Sequence, residues 1–119
     1  MRYTGPKVRL SRRAGVPLTR KAVKYFEKRP YPPGEHGRRV RRSTSDYAVR
    51  QAEKQKLRWY YDLSEKQLAR VYENAKKRPG RTGEEMIAEL ELRLATVLLR
   101  AGFAASIYAA RQFINHGHI

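Results

Sequence analysis

Apolar residues recur at helical spacing only in the second half of the chain. Leu68, Val71, Tyr72 and Ala75 fall at i, i+3, i+4 and i+7 behind Ser64 and Gln67, a pair spaced as a capping box, and Arg78-Pro79-Gly80 closes the segment, so a helix is predicted there. Thr82 and Glu85 repeat the capping-box spacing, and Ile87, Leu90, Leu94, Val97, Leu98 and Ala101 predict one long helix that ends at Gly102 and forms the spine of the core. Ser106 is placed to cap a last helix carrying Ile107, Ala110, Phe113 and Ile114, with Gly117 as its stop. Upstream, the polar cluster Ser43, Thr44, Ser45 and Asp46 opens a helix to about Tyr61. Before that cluster the pattern dissolves. Gly5-Pro6 and Gly15 bracket one short basic helix, and from Val16 to Thr44 loop and extended chain are expected around Arg29-Pro30-Tyr31-Pro32-Pro33-Gly34-Glu35-His36-Gly37. No strand-like alternation occurs, so the fold class is mainly α: an irregular basic arm rich in Pro and Gly over residues 1–45, then a small helical bundle.

Charge changes the picture of the arm. Fourteen Lys and Arg stand there against Glu27 and Glu35 alone, and the whole 119-residue chain carries 27 basic and 11 acidic side chains, a net +16. With so few aliphatic residues the arm is not expected to bury enough surface to offset its chain entropy. Its implied partner is long, structured and anionic, and nucleic acid fits best. Leu10, Val23, Tyr25 and Phe26 are its main large apolar residues, expected to pack against the helical body as RNA orders the arm. The chain has no cysteine, hence no disulfide framework and no thiolate metal site. No apolar run reaches the length of a membrane span and the N-terminus lacks a signal-peptide core, which makes a cytoplasmic protein the default.

Candidate binding residues follow the charge. In the arm these are Arg2, Tyr3, Lys7, Arg9, Arg12, Arg13, Arg29, Tyr31, His36, Arg38, Arg39, Arg41 and Arg42. On the next helix Arg50, Lys54 and Arg58 form an i, i+4, i+8 stripe that faces water or phosphate, and Arg50, Lys54 and Lys56 join the candidates. Trp59, Tyr60 and Tyr61 could stack on bases, but a cluster at a helix end reads better as a seam between helices. Catalytic chemistry finds no support: there is no Ser/His/Asp or Cys/His set and no phosphate-binding glycine loop, and Glu84, Glu85, Glu89 and Glu91 suit the start of a helix. His116 and His118 have no neighbouring Cys and no carboxylate after Glu91, so no metal is expected.

Leu92-Arg93-Leu94, Arg100-Ala101-Gly102-Phe103-Ala104, Ser106, Ala110-Arg111-Gln112 and His116-Gly117-His118-Ile119 resemble the helical half of the RNA-binding motif named after small-subunit ribosomal protein S-four. Arg2-Tyr3-Thr4-Gly5-Pro6, the proline-rich block, Glu53-Lys54-Gln55-Lys56, Ser64-Glu65-Lys66-Gln67 and Thr82-Gly83-Glu84 extend the likeness, in order, to the bacterial S-four ribosomal protein family. The resemblance implies a structural constituent of the small ribosomal subunit on the ribosome. Such a protein binds a multi-helix rRNA junction early in assembly, touches neighbouring small-subunit proteins and mRNA, and contributes to mRNA entry and accuracy. It adds Ser106, Arg111, Gln112, His116 and His118 as RNA-facing positions, while Ile107 stands where many relatives have Arg and Ala95 where Asp is frequent. It divides the chain into the arm (1–45), a helical domain (46–92) and a partial motif (93–119) whose C-terminal strands are expected to be missing, as in a shortened chain. Val8, Ser11, Thr19 and Lys24 stand where zinc-binding relatives have cysteines, so no zinc, no other cofactor and no small-molecule substrate is expected. An RNA-binding module of an RNA-modifying enzyme and a basic DNA-binding protein stay open as alternatives.

Overall fold

The computed structural model describes residues 2–39 and 45–119. Seven α-helices and one 3₁₀ turn occur among them, with no strand, in keeping with the mainly α expectation. They are α1 (Lys7–Ala14), α2 (Arg20–Lys28), the 3₁₀ turn Gly37–Arg39, α3 (Asp46–Tyr60), α4 (Glu65–Lys76), α5 (Thr82–Glu91), α6 (Leu94–Arg100) and α7 (Ile107–Asn115). Two compact units contain them: Tyr3–Tyr60, and Tyr61–Ile119 together with Arg2.

In the first unit α1 forms as its sequence suggests. Pro6 stands at its N-cap, and Gly15, at φ 78, ends it by donating its N–H to the Ser11 carbonyl at 2.9 Å. The segment expected as loop from Val16 instead contains α2. Thr19 caps it, its hydroxyl accepting from the Ala22 N–H at 3.2 Å. Ala22, the one buried residue of α2, and the half-buried Phe26 lie one turn apart on a single face, so this short helix does carry an apolar period, but it sits in a segment dominated by Lys, Arg and Pro, and Thr19 caps its start. Leu10, Ala14, Leu18 and Trp59 make a small core with Tyr3 packed on it, and the buried Ser11 hydroxyl accepts from the Leu18 N–H at 3.0 Å. The basic segment thus does bury apolar surface of its own. Of the four residues expected to pack it, Leu10 is buried and Phe26 half-buried, whereas Val23 and Tyr25 are exposed.

In the second unit the α4 capping box is complete: Gln67 N–H donates to the Ser64 hydroxyl at 3.2 Å and Ser64 N–H to the Gln67 side chain at 3.0 Å. Leu68, Val71 and Ala75 are buried, and Tyr72 turns outward under the Lys76 ammonium. The expected Thr82 capping box does not form. Thr82 is the first helical residue, Arg81 occupies the cap without a side-chain bond, and Glu85 pairs with Arg78 at 3.7 Å instead.

The expected single helix from Thr82 to Ala101 is two helices, broken where Arg93 adopts extended backbone (φ −66, ψ 141). A tertiary clamp accounts for the break. Glu91 accepts from Arg100 Nε and Nη2 at 3.1 and 2.9 Å and from the Tyr61 hydroxyl at 2.7 Å. In one straight helix, residues nine apart lie about 13.5 Å apart along the axis and on opposite faces. Only a bend brings Glu91 and Arg100 together. The bend also rotates the apolar face: Leu90, Thr96 and Leu98 are buried, while Ile87, Leu94 and Val97 are about half exposed. Leu98, Ala104 and Ala110 form the core between α6 and α7. Ser106 caps α7 by accepting from the Ala109 N–H at 3.1 Å, and Gly117, at φ 76, stops it, as expected. Of the aromatic cluster expected as a seam, Trp59 and Tyr61 are buried, each within its own unit, while Tyr60 is exposed.

Candidate nucleic-acid interface

The proline-rich segment is pinned to α1 by one arginine. Arg12 Nε donates to the Tyr31 carbonyl at 3.1 Å and Nη2 to the Pro32 carbonyl at 3.4 Å, while its guanidinium lies 5.0 Å from the Tyr31 ring centroid. The Arg38 guanidinium lies 4.8 Å from the same ring and donates to the Tyr31 hydroxyl at 3.3 Å. That hydrogen bond, with the charges of Arg38, Arg29 and Arg12, holds the Tyr31 phenol below its ordinary value of 10 against the opposing effect of burial. The turn closes tightly enough to require glycine: a Cβ on Gly37 would sit 1.8 Å from the Pro32 carbonyl oxygen. Gly37 N–H donates to the Gly34 carbonyl and Arg39 N–H to that of His36, at 3.2 and 3.0 Å.

Around this turn the cations fall into two groups. Lys7 is committed to the chain itself, with its ammonium 2.8 Å from the Tyr3 carbonyl and 5.3 Å from the Tyr3 ring, and the Tyr3 hydroxyl donates to the Pro6 carbonyl. Arg12 is committed likewise. Arg9, Arg13, Arg29 and Arg39 are exposed and pair with no carboxylate among the described residues, and His36 is exposed beside them. Arg41 and Arg42 lie outside the described residues, as do Ser43 and Thr44 of the expected helix start. On α3, Arg50 and Lys54 are exposed, Arg58 is half-buried, and Lys56 pairs with Glu53 at 2.8 Å.

In the second unit, Arg111 is held by Asp62. Its Nη1 donates to the Asp62 carbonyl at 3.0 Å and to Oδ2 at 2.7 Å, and the carboxylate side chain is only 9% exposed. Asp62 itself sits at φ 54, a left-handed backbone that Asp tolerates better than most residues. The Ser106 hydroxyl is occupied as the α7 cap. Gln112, His116 and His118 are exposed at the end of α7, where the His118 ring meets Phe113 edge-on and lies beside His116.

Arg2 and Arg111, named from the sequence, are brought together with Ser64, Lys66, Gln67 and Arg70 around an open cavity of about 380 Å³. Lys66 and Arg70 were not among the sequence candidates. Their signal is the same i, i+4 basic spacing that singled out Arg50 and Lys54, here on the polar face of α4. Chemically these surfaces offer guanidinium and ammonium donors to phosphates. Among the described residues no three His, Asp or Glu side chains converge as metal ligands, and no helix is long and apolar enough to cross a membrane.

The family model of the ribosomal protein S4/S9 N-terminal domain matches residues 2–91 and that of the S4 domain residues 92–119. The chain is 60% identical over 114 residues to the small ribosomal subunit protein uS4 of Streptomyces griseus, covering 96% of this chain and 55% of the relative. It is equally similar to that of Streptomyces coelicolor, and 58% identical over 112 residues to that of Bifidobacterium longum, covering 94% of this chain and 54% of the relative. The chain spans about half the length of these curated relatives.

Proposed function

The chain belongs to the ribosomal protein S4 family, and from that premise we propose that it is a non-enzymatic constituent of the small ribosomal subunit that binds rRNA directly. Its place is then the ribosome in the cytoplasm, beside neighbouring small-subunit proteins and the mRNA path. The target is a junction of several rRNA helices, engaged early in assembly by shape more than by base sequence. One observation carries this reading beyond likeness: the basic segment is folded by its own contacts, with Arg9, Arg13, Arg29 and Arg39 exposed and without carboxylate partners around the Arg12–Tyr31–Arg38 cluster. A polycationic tail has no reason to fix its cations against a fixed turn. A surface matched to a folded RNA does.

In this reading Arg9, Arg13, Arg29, His36, Arg38, Arg39, Arg50 and Lys54 contact phosphates. Lys7, Arg12, Tyr3 and Tyr31 shape the surface that presents them. Gln112, His116 and His118 extend the contact from the second unit, and Arg41, Arg42 and Lys56 add charge to it. By sequence character the arm (1–45), the helical domain (46–92) and the motif segment (93–119) divide the work.

The test is a titration of the full chain against a folded small-subunit rRNA junction and against duplex DNA of equal length, across a salt series. Binding that favours the junction at physiological salt is expected, with log K falling by about 0.7–0.9 per phosphate contact for each tenfold rise in salt. Equal affinity for both ligands, collapsing together with salt, refutes the reading in favour of a general polyanion or DNA binder.

A further inference from the structure

The cavity lined by Arg2, Lys66, Arg70 and Arg111 carries more positive charge than one anion can use. Four cations border it, and Ser64 and Gln67, its other lining residues, are held in the α4 capping box. Among the described residues Arg111 is the one of these four with a carboxylate partner, so three charges are left over there. Glu65, the neighbouring acid, does not line the cavity. Lys66, Arg70 and Arg2 are exposed and make no ion pair among the described residues.

Arg111 differs from the other three. Both of its hydrogen bonds to Asp62 leave from Nη1, which fixes the guanidinium plane against a nearly buried carboxylate. Nε and Nη2 keep their N–H groups for another acceptor. A fork held in one orientation, with unused donors at the wall of a cavity, is the arrangement that recognises phosphate oxygens at little entropic cost.

A single phosphodiester carries one negative charge, and along one strand of a regular duplex successive phosphates are spaced apart. Three uncompensated cations and an anchored guanidinium within about 380 Å³ therefore match a place where backbone phosphates from different strands crowd together. We propose that this cavity is a phosphate-binding site for RNA in which Lys66, Arg70 and Arg2 neutralise two or more closely approached backbone phosphates and Arg111, oriented by Asp62, fixes one of them. This rests on the rRNA-binding reading and adds the strand-crossing feature that the second unit takes.

The experiment compares the wild-type chain with K66Q/R70Q and the charge-keeping K66R/R70K on two RNAs of equal length, a folded small-subunit rRNA junction and a regular duplex, across a salt series. K66Q/R70Q is expected to bind the junction about tenfold more weakly at physiological salt, with a salt slope shallower by about 1.5, and to lose less than about threefold on the duplex. K66R/R70K stays within about twofold of wild type. Unchanged thermal melting of both variants, expected because the two side chains are exposed and unpaired, separates binding from folding. An unchanged slope on the junction overturns the proposal, and so does an equal loss on junction and duplex, which marks a general polyanion surface. Failure of the rRNA-binding reading shows separately, as a wild-type chain with no preference for the junction.

Discussion

Arg12→Ala separates positioning from phosphate contact in the basic unit. The side chain makes one well-formed hydrogen bond, Nε to the Tyr31 carbonyl at 3.1 Å, a longer one to the Pro32 carbonyl at 3.4 Å, and a ring contact at 5.0 Å. A charge-assisted bond is worth about 1.5–3 kcal/mol when buried, and partial exposure brings this one to about 1 kcal/mol. The ring contact at a solvent-accessible site adds about 0.5–1 kcal/mol. Their loss lowers the free energy of opening the turn by about 1.5–2 kcal/mol, which is on the order of 10–30-fold in the opening equilibrium. Amide hydrogen exchange reads this directly at Gly37 N–H and Arg39 N–H, which donate to Gly34 and His36, so both are expected to exchange about 10–30-fold faster in Arg12→Ala. RNA affinity falls with it, while the salt slope stays within about 0.3 of wild type, because Arg12 holds carbonyls and not phosphates. Arg39→Ala shows the reverse pattern, a slope shallower by about 0.7–0.9 with exchange at Gly37 unchanged. Unchanged exchange in Arg12→Ala, or a slope that drops as in Arg39→Ala, refutes the division.

The second unit yields three further expectations. Leu90→Ala, at a fully buried position, costs about 2–5 kcal/mol in denaturant unfolding, and Leu94→Ala, about half exposed, costs less than about 1 kcal/mol; equal losses contradict the bend at Arg93. Asp62→Ala removes the Arg111 partner and leaves a β-carbon in left-handed backbone, for a loss of about 3 kcal/mol, of which Asp62→Gly recovers about 1 kcal/mol by relieving φ; no difference between the two variants shows that the backbone there is unstrained. The Arg100 hydrogen bonds, then that of Tyr61, lower the Glu91 carboxyl below its ordinary 4.5, so its contribution is complete above about pH 4.5 and is lost as the pH falls through the lowered value. With a third of that side chain exposed the effect is about 0.5–1 kcal/mol, and Glu91→Gln is expected to lose less stability than wild type between pH 4.5 and 2; parallel acid limbs refute it.

The elements legible in the sequence are those whose signals are local. The Ser64–Gln67 capping box and the Ser106 and Gly117 ends of α7 lie within a few residues of the helices they define, and each forms as its spacing indicates. Helix α2 escaped although Ala22 and Phe26 fall one turn apart, because its nine residues sit between Pro17 and Pro30 in a basic segment that reads as loop, and the Thr82–Glu85 spacing misled because Arg78 draws Glu85 away. The bend at Arg93 depends on Tyr61, thirty residues from Glu91, a partner that no periodicity announces.

The same distance separates legible from illegible in the binding surface. Composition located the cations but not their duties, since Arg12 finds its carbonyls 19 and 20 residues away and Arg111 its carboxylate 49 residues away. The count of 27 basic side chains therefore overstates the number of phosphates the chain can neutralise. Lys7 and Arg12 are held by backbone oxygens, and Lys56, Arg78, Arg81, Arg100 and Arg111 pair with carboxylates, so a salt titration counts chiefly the remaining cations and the donors that Arg111 keeps for a phosphate. What the committed cations contribute is geometry: they fix where the exposed ones stand. Affinity for any polyanion then depends on residues such as Arg13 and Arg39, whereas preference for one folded RNA depends on Arg12 and Arg111, whose loss lowers discrimination more than charge.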